Sequence, residues 1–231
     1  MLLLVAALSC TEEKASQTDV YIYLDYTEGQ DYSAQIAEDM DKYLALMEVA
    51  GEQSRNYGAI KVYPLHDISA GVSKTVKLKE GKSQLEGNKF LRKKEVDAFT
   101  AKLTDKMLDI NTNFTGKELT SSHIFTPICK GVKKLNKSDA DKKIILIYSD
   151  MLENSELANF HSKSITFESL KANFDKSCDM DDTSEIEFYI VHPVNKKNDQ
   201  KIRKASDLWA KYLLDKGMDE DAFHFDTGID I

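Results

Sequence analysis

The sequence is poor in the residues that usually punctuate or staple a small protein. It has three prolines and ten glycines in 231 residues, and no Gly- or Ser-rich stretch divides it, so nothing marks a linker between two domains. Three cysteines are too few for a disulfide framework, and a chain of this length can bury a core without one. Basic residues are outnumbered, 31 Lys and Arg against 39 Asp and Glu, for a net charge of −8. Nucleic-acid binding needs a concentrated basic face, and this balance argues against it. The local lysines Lys77, Lys79, Lys82, Lys89, Lys93 and Lys94 are interleaved with polar residues, as on a solvated face. No Gly-x-Ser-x-Gly elbow and no Gly-rich phosphate loop occurs. The five histidines, His66, His123, His161, His192 and His224, have no metal-ligand spacing.

What is present begins with an apolar run over residues 1–8 followed by Ser9 and Cys10. It is too short to span a bilayer, which takes about 20 apolar residues, and has the length of a signal-peptide core. Ala7-Leu8-Ser9-Cys10 resembles a bacterial lipobox, with Ala7 where leucine is commonest and no Lys or Arg ahead of the run. The resemblance implies loss of residues 1–9, a lipid on Cys10 that holds the protein to a membrane, and a place in the cell envelope, facing the periplasm or the exterior. Residues 10–19 are expected to form a polar, aperiodic tether, and residues 20–231 a single domain.

Within that domain, strands and helices alternate. Residues 20–24, 59–65, 144–148, 186–191 and 222–225 are compact β-rich runs. The run at 144–148 is apolar without alternation, as in a central strand buried on both faces, and residues 72–80 alternate as on a half-exposed edge. Between them, Ile36, Met40, Tyr43, Leu44, Met47 and Ala50 recur at helical spacing up to Gly51. Val96 to Ile110, Ile124 to Leu135 (with Thr126 as cap and Pro127 as first regular residue), Phe167 to Phe174 and Ile202 to Leu213 read the same way. The order predicts an α/β fold: a doubly wound, mostly parallel sheet with helices on both faces and one antiparallel edge strand. Cys129 and Cys178 either pair in an oxidising compartment or stay apart, Cys129 then being a buried thiol on an apolar helical stripe.

Ligands of such sheets sit outside the carboxyl ends of the strands. The first strand runs into Asp25-Tyr26-Thr27-Glu28-Gly29, the central strand into Ser149-Asp150, and Ser121-Ser122-His123 precedes the helix at Ile124. These three segments, in this order, resemble the metal-ion-dependent adhesion site of von Willebrand factor A-like domains, with Gly29 where a second hydroxyl is usual. The resemblance implies a vWA/Rossmann-like fold and a Mg²⁺ site formed by Asp25, Thr27, Ser122 and Asp150. Mg²⁺ takes a few oxygen ligands and keeps several waters, leaving a position for an acidic group on a protein partner. A water, or nearby Asp31 or Ser33, is expected to stand in for the missing hydroxyl.

Two other readings compete with this non-enzymatic binding module. Asp25-x-Thr27 is similar to the first motif of haloacid dehalogenase-like phosphatases, in which Asp25 is the nucleophile of a phosphoester hydrolase, yet Asp181-Asp182 precedes its strand where that family's acidic pair should follow one. The other is a structural envelope lipoprotein whose adhesion site is vestigial.

Overall fold

The computed structural model describes residues 14–27, 29–51, 54–65, 72–82, 88–117, 121–162, 164–193 and 198–230. The signal-peptide and lipidation readings, with Cys10, lie outside these residues. Six strands form one sheet: β1 (Gln17–Asp25), β2 (Tyr57–Leu65), β3 (Lys74–Leu78), β4 (Lys142–Tyr148), β5 (Ile186–Val191) and β6 (Phe223–Asp226). Their order across the sheet is β3-β2-β1-β4-β5-β6. All neighbours are parallel except β2 and β3. The edge strand is therefore antiparallel, as its alternating sequence predicts. The sheet grows outward in both directions from the β1/β4 pair, which makes that pair the topological switch point.

Side chains alternate between the two faces of each strand. On one face, Val20, Ile22 and Leu24 of β1 and Ile144, Leu146 and Tyr148 of β4 meet α1 (Ser33–Glu38), α2 (Met40–Leu46) and α3 (Lys89–Phe114). On the other, Tyr23, Ile145 and Ile147 meet α4 (Phe125–Leu135), α5 (Phe167–Ser177) and α6 (Asp199–Asp215). The layer architecture is the predicted doubly wound one. Gly131 brings α4 close to β1: a Cβ there would lie 2.0 Å from the Tyr23 hydroxyl, which donates to the Pro127 carbonyl at 3.1 Å.

Three local readings are corrected by the structure, and one that the sequence leaves open is decided. Pairing begins at Gln17, not residue 20, because Thr18 and Asp19 already lie opposite Lys142 and Lys143 of β4; their polarity hides a strand start that is fixed from outside. The helix expected to run from Ile36 to Ala50 is broken at Asp39. There a fully buried carboxylate accepts from Gln35 Nε2 (2.6 Å) and from the Tyr148 hydroxyl (2.8 Å), with Lys42 Nζ 3.0 Å away. Helix α4 starts at Phe125, ahead of Pro127, and Thr126 makes no cap. Its first amides are held instead by Glu153, whose Oε2 accepts from Ile124 N (2.7 Å) and Phe125 N (2.8 Å). Finally, Cys129 and Cys178 form a disulfide, Cα–Cα 6.4 Å, that ties α4 to the end of α5. Such bonds persist in oxidising compartments.

Candidate functional site

Leu24 of β1 lies directly opposite Tyr148 of β4, so the residues that follow these two strands emerge side by side. They open a small crevice of about 20 Å³, lined by Asp25, Thr27, Gln30, Tyr32, Ser149, Asp150 and Pro193. That is room for one or two water-sized groups. Three of the four predicted metal-site residues, Asp25, Thr27 and Asp150, are thus brought together.

Asp25 organises the crevice from below and is nearly buried, at 4% exposure. Its Oδ1 accepts from the amide (3.0 Å) and hydroxyl (2.7 Å) of Thr27, and its Oδ2 accepts from the Ser149 hydroxyl (2.6 Å). Ser149 Oγ in turn accepts from the amide of Met151 (2.9 Å). Both hydroxyls therefore point their protons at Asp25 and leave oxygen lone pairs for the crevice, the arrangement a hard cation requires. Asp150 stands beside them and turns the chain by accepting from Leu152 N (3.0 Å).

The turn after β4 is conformationally demanding. Met151 has φ +59°, which costs a non-glycine residue on the order of 1 kcal/mol. It is held there by Ser149 on one side and by Trp209, whose indole N–H donates to the Met151 carbonyl at 3.1 Å. On the β1 side, Gly29 has φ +67° and its amide closes a turn onto the Tyr26 carbonyl (3.0 Å). A serine at this position would meet the left-handed penalty, so the missing hydroxyl has a backbone reason.

Tyr32 joins the two sides. Its hydroxyl donates to the main-chain carbonyl of Asp25 (2.5 Å) and shares the same proton with that of Tyr148 (3.1 Å). Burial first, and then the charges of Asp25 and, further down, Asp150, hold this phenol well above its ordinary range. Both carboxylates are therefore within electrostatic reach of one group. Nothing in the sequence pattern singles out Tyr32, because its role depends on β1 and β4 being adjacent. Ser149 was legible only as the neighbour of Asp150.

Ser122 is placed differently from the expectation. It does not line the crevice but pairs with the loop beyond it, through Ser122 N to Asn154 O (3.1 Å) and Asn154 N to Ser122 O (3.0 Å). Its hydroxyl is buried with no hydrogen-bond partner among the described residues. Asp31 and Ser33 also turn away: Asp31 Oδ1 accepts from Ser33 and from Asn111 Nδ2 (2.8 Å) on α3, so neither replaces the hydroxyl missing at Gly29. No group of three His, Cys, Asp or Glu side chains converges among the described residues. Any cation here would rest on the Asp150 carboxylate and the hydroxyl oxygens of Thr27 and Ser149, with Asp25 behind them, few enough that most of its shell would be water.

No protein-family model and no curated protein matches this sequence. Among solved structures, a mutant of the PilB minor pilin from Streptococcus sanguinis superposes with a TM-score of 0.51 at 10% identity, over 93% of this chain and 57% of that one. The pilus adhesin SpaC from Lactobacillus rhamnosus GG gives 0.46 at 12% identity, over 95% and 28%. An aerotolerance-related membrane protein from Bacteroides fragilis gives 0.37 at 13% identity, over 92% of each chain. This chain spans little more than half of the pilin and less than a third of the adhesin. At such identities the likeness is one of fold alone, a doubly wound α/β sheet of the von Willebrand factor A-like and Rossmann-like kind.

Proposed function

We propose that this protein is a lipid-anchored binding module of the bacterial cell envelope that engages an acidic group on a protein partner at the β1/β4 crevice. The observation that carries the reading is that Asp25 and Asp150, ending adjacent parallel strands, share one crevice with the hydroxyls of Thr27 and Ser149. Thr27, Ser149 and Asp150 are the residues that would hold Mg²⁺, with Asp25 aligning both hydroxyls from beneath. Ser122 stands outside this set, paired with Asn154. The cation supplies a hard positive charge with a coordination position open to a carboxylate.

The placement of the chain's entry supports the same reading. Gln17 and Asp25 are eight residues apart along β1, about 26 Å at strand rise. A tether from Cys10 would enter at the far end and present the crevice away from the membrane. The disulfide fits an oxidising compartment outside the cytoplasm. No helix among the described residues is long and apolar enough to cross a membrane.

Against the hydrolase reading, Asp25 has both carboxylate oxygens engaged by hydrogen bonds, which blunts it as a nucleophile. Calorimetric titration of the protein with Mg²⁺ and Mn²⁺ tests the module: one site of millimolar or tighter affinity is expected, lost in Asp150→Ala. No heat at millimolar metal would leave the vestigial-site reading, and phosphoester hydrolysis abolished by Asp25→Asn would restore the enzyme.

A further inference from the structure

The two most exposed large apolar side chains among the described residues are neighbours, Phe90 at 62% and Leu91 at 54%. Scattered apolar residues on a surface carry no message, but adjacent ones rimmed by like charge do. Here the rim is basic. Lys79, Lys82, Lys89, Lys93 and Lys94 are all exposed, and Lys94 Nζ lies 4.6 Å from the Phe90 ring centroid. Among the acids nearby, Asp97 pairs with Lys93, Glu80 with Arg55, and Glu95 with buried Arg92. In a chain of net charge −8, this corner is a local positive pole.

Its position gives it meaning. Arg92, one residue on from Leu91, donates to the carbonyls of Ser54, Asn56 and Lys79. Asn56 Oδ1 accepts from Ser16 N (2.9 Å), just before β1 begins. The Phe90–Leu91 corner is therefore fastened to the end of the sheet at which the chain enters, opposite the crevice. Ser16 is six residues along the chain from Cys10, a reach of at most about 22 Å. A lipid on Cys10 would keep this corner within reach of the headgroups.

We propose that the corner is a membrane-surface contact: Phe90 and Leu91 enter the interface of an anionic bilayer while Lys79, Lys82, Lys89 and Lys94 meet its phosphates. The occupant is an anionic lipid surface because the patch joins apolar side chains to unspent positive charge, the pair of features such a surface rewards. The acidic remainder of the chain is repelled by the same surface, so the contact also sets orientation, with the crevice outward. The inference deepens the lipid-anchored reading and rests on it for the distance argument, while the patch itself does not depend on the lipid.

The test uses the full chain carrying Phe90→Trp, reconstituted into vesicles of phosphatidylcholine and phosphatidylglycerol with brominated acyl chains. Phe90 is exposed, so the substitution spares the core, and the native Trp209 is fully buried and serves as the unquenched internal reference. Bromine is expected to quench the added emission by half or more. That quenching should fall at least fivefold in pure phosphatidylcholine and in a Lys89→Glu/Lys94→Glu background. An unquenched tryptophan, quenching indifferent to lipid charge, or a dimer in detergent that Phe90→Glu dissolves would each overturn the proposal. The mass of the N-terminal peptide from the same sample reports the lipid separately. An unmodified Cys10 beside a quenched position 90 would sink the anchor and keep the corner.

Discussion

Against one face of the sheet, α4, α5 and α6 pack Phe125, Phe174, Trp209 and Tyr212 ring against ring, with the Phe125 and Phe174 centroids 3.8 Å apart. The disulfide staples that layer. Against the other face, α1 to α3 bury Asp39 and Asn111 with the hydroxyls of Tyr32, Tyr43 and Tyr148. Both layers bury a comparable set of apolar side chains; the first adds a covalent bond. The second adds a buried network of hydrogen bonds, which fix position and are costly when half-made. The crevice hangs between them: Asp25 and Tyr148 are set by the polar layer through Tyr32, and Met151 by the apolar layer through Trp209. The crevice thus depends on both faces, one reinforced by a disulfide and the other by buried hydrogen bonds.

That dependence can be broken from either side. Replacing Cys129 and Cys178 by alanine opens a loop of 49 residues, for which chain entropy gives about 4 kcal/mol. Chemical denaturation should show a loss of about 2–4 kcal/mol while metal affinity in the folded protein stays within twofold. Asp39→Ala removes the acceptor of the buried Tyr148 hydroxyl, which keeps only Tyr43, and of the half-buried Gln35 amide. We expect a cost of about 2–3 kcal/mol together with weakened metal binding, the opposite signature to the disulfide variant. Tyr32→Phe removes the shared hydrogen bond between the ends of β1 and β4 for about 1 kcal/mol, and should lower metal affinity more than it lowers stability.

The smallest effect is a slope with pH. Burial, the leading cause, raises the Glu153 carboxyl above its ordinary value of 4.5, against the hydrogen bonds from Ser155, Phe125 and Ile124. The folded chain therefore keeps that proton to higher pH than the unfolded one. Stability from it is complete below about 4.5 and is lost as pH rises through the higher folded value. Denaturation curves of Glu153→Gln across that window should lack this component of the wild-type slope.

Asp39 also shows why part of the fold was legible and part was not. The apolar spacing on either side of it is helical, and so the sequence reads as one helix. The break comes from a carboxylate seeking Tyr148, more than a hundred residues away. The same holds for Glu153 capping α4 and for Tyr32 bridging two carbonyls, since each depends on contacts between distant segments. By contrast, the alternation of strands and helices, the unalternating run of β4 and the acids at the ends of β1 and β4 are local features. They were enough to place Asp25 and Asp150 in one crevice, because parallel crossovers put strand ends on one side. Ser122 failed to join them because its loop is drawn to Asn154, a pairing without a sequence signal.

In the proposed function, the ends of β1 and β4 form one cation-dependent contact point. Crystals of the protein grown with Mn²⁺, measured at the manganese absorption edge, test it directly. One anomalous peak is expected in the crevice, within direct coordination distance of oxygens of Thr27, Ser149 or Asp150 and otherwise surrounded by water. A crevice without that peak at millimolar Mn²⁺, or manganese bound only elsewhere on the acidic surface, would contradict it.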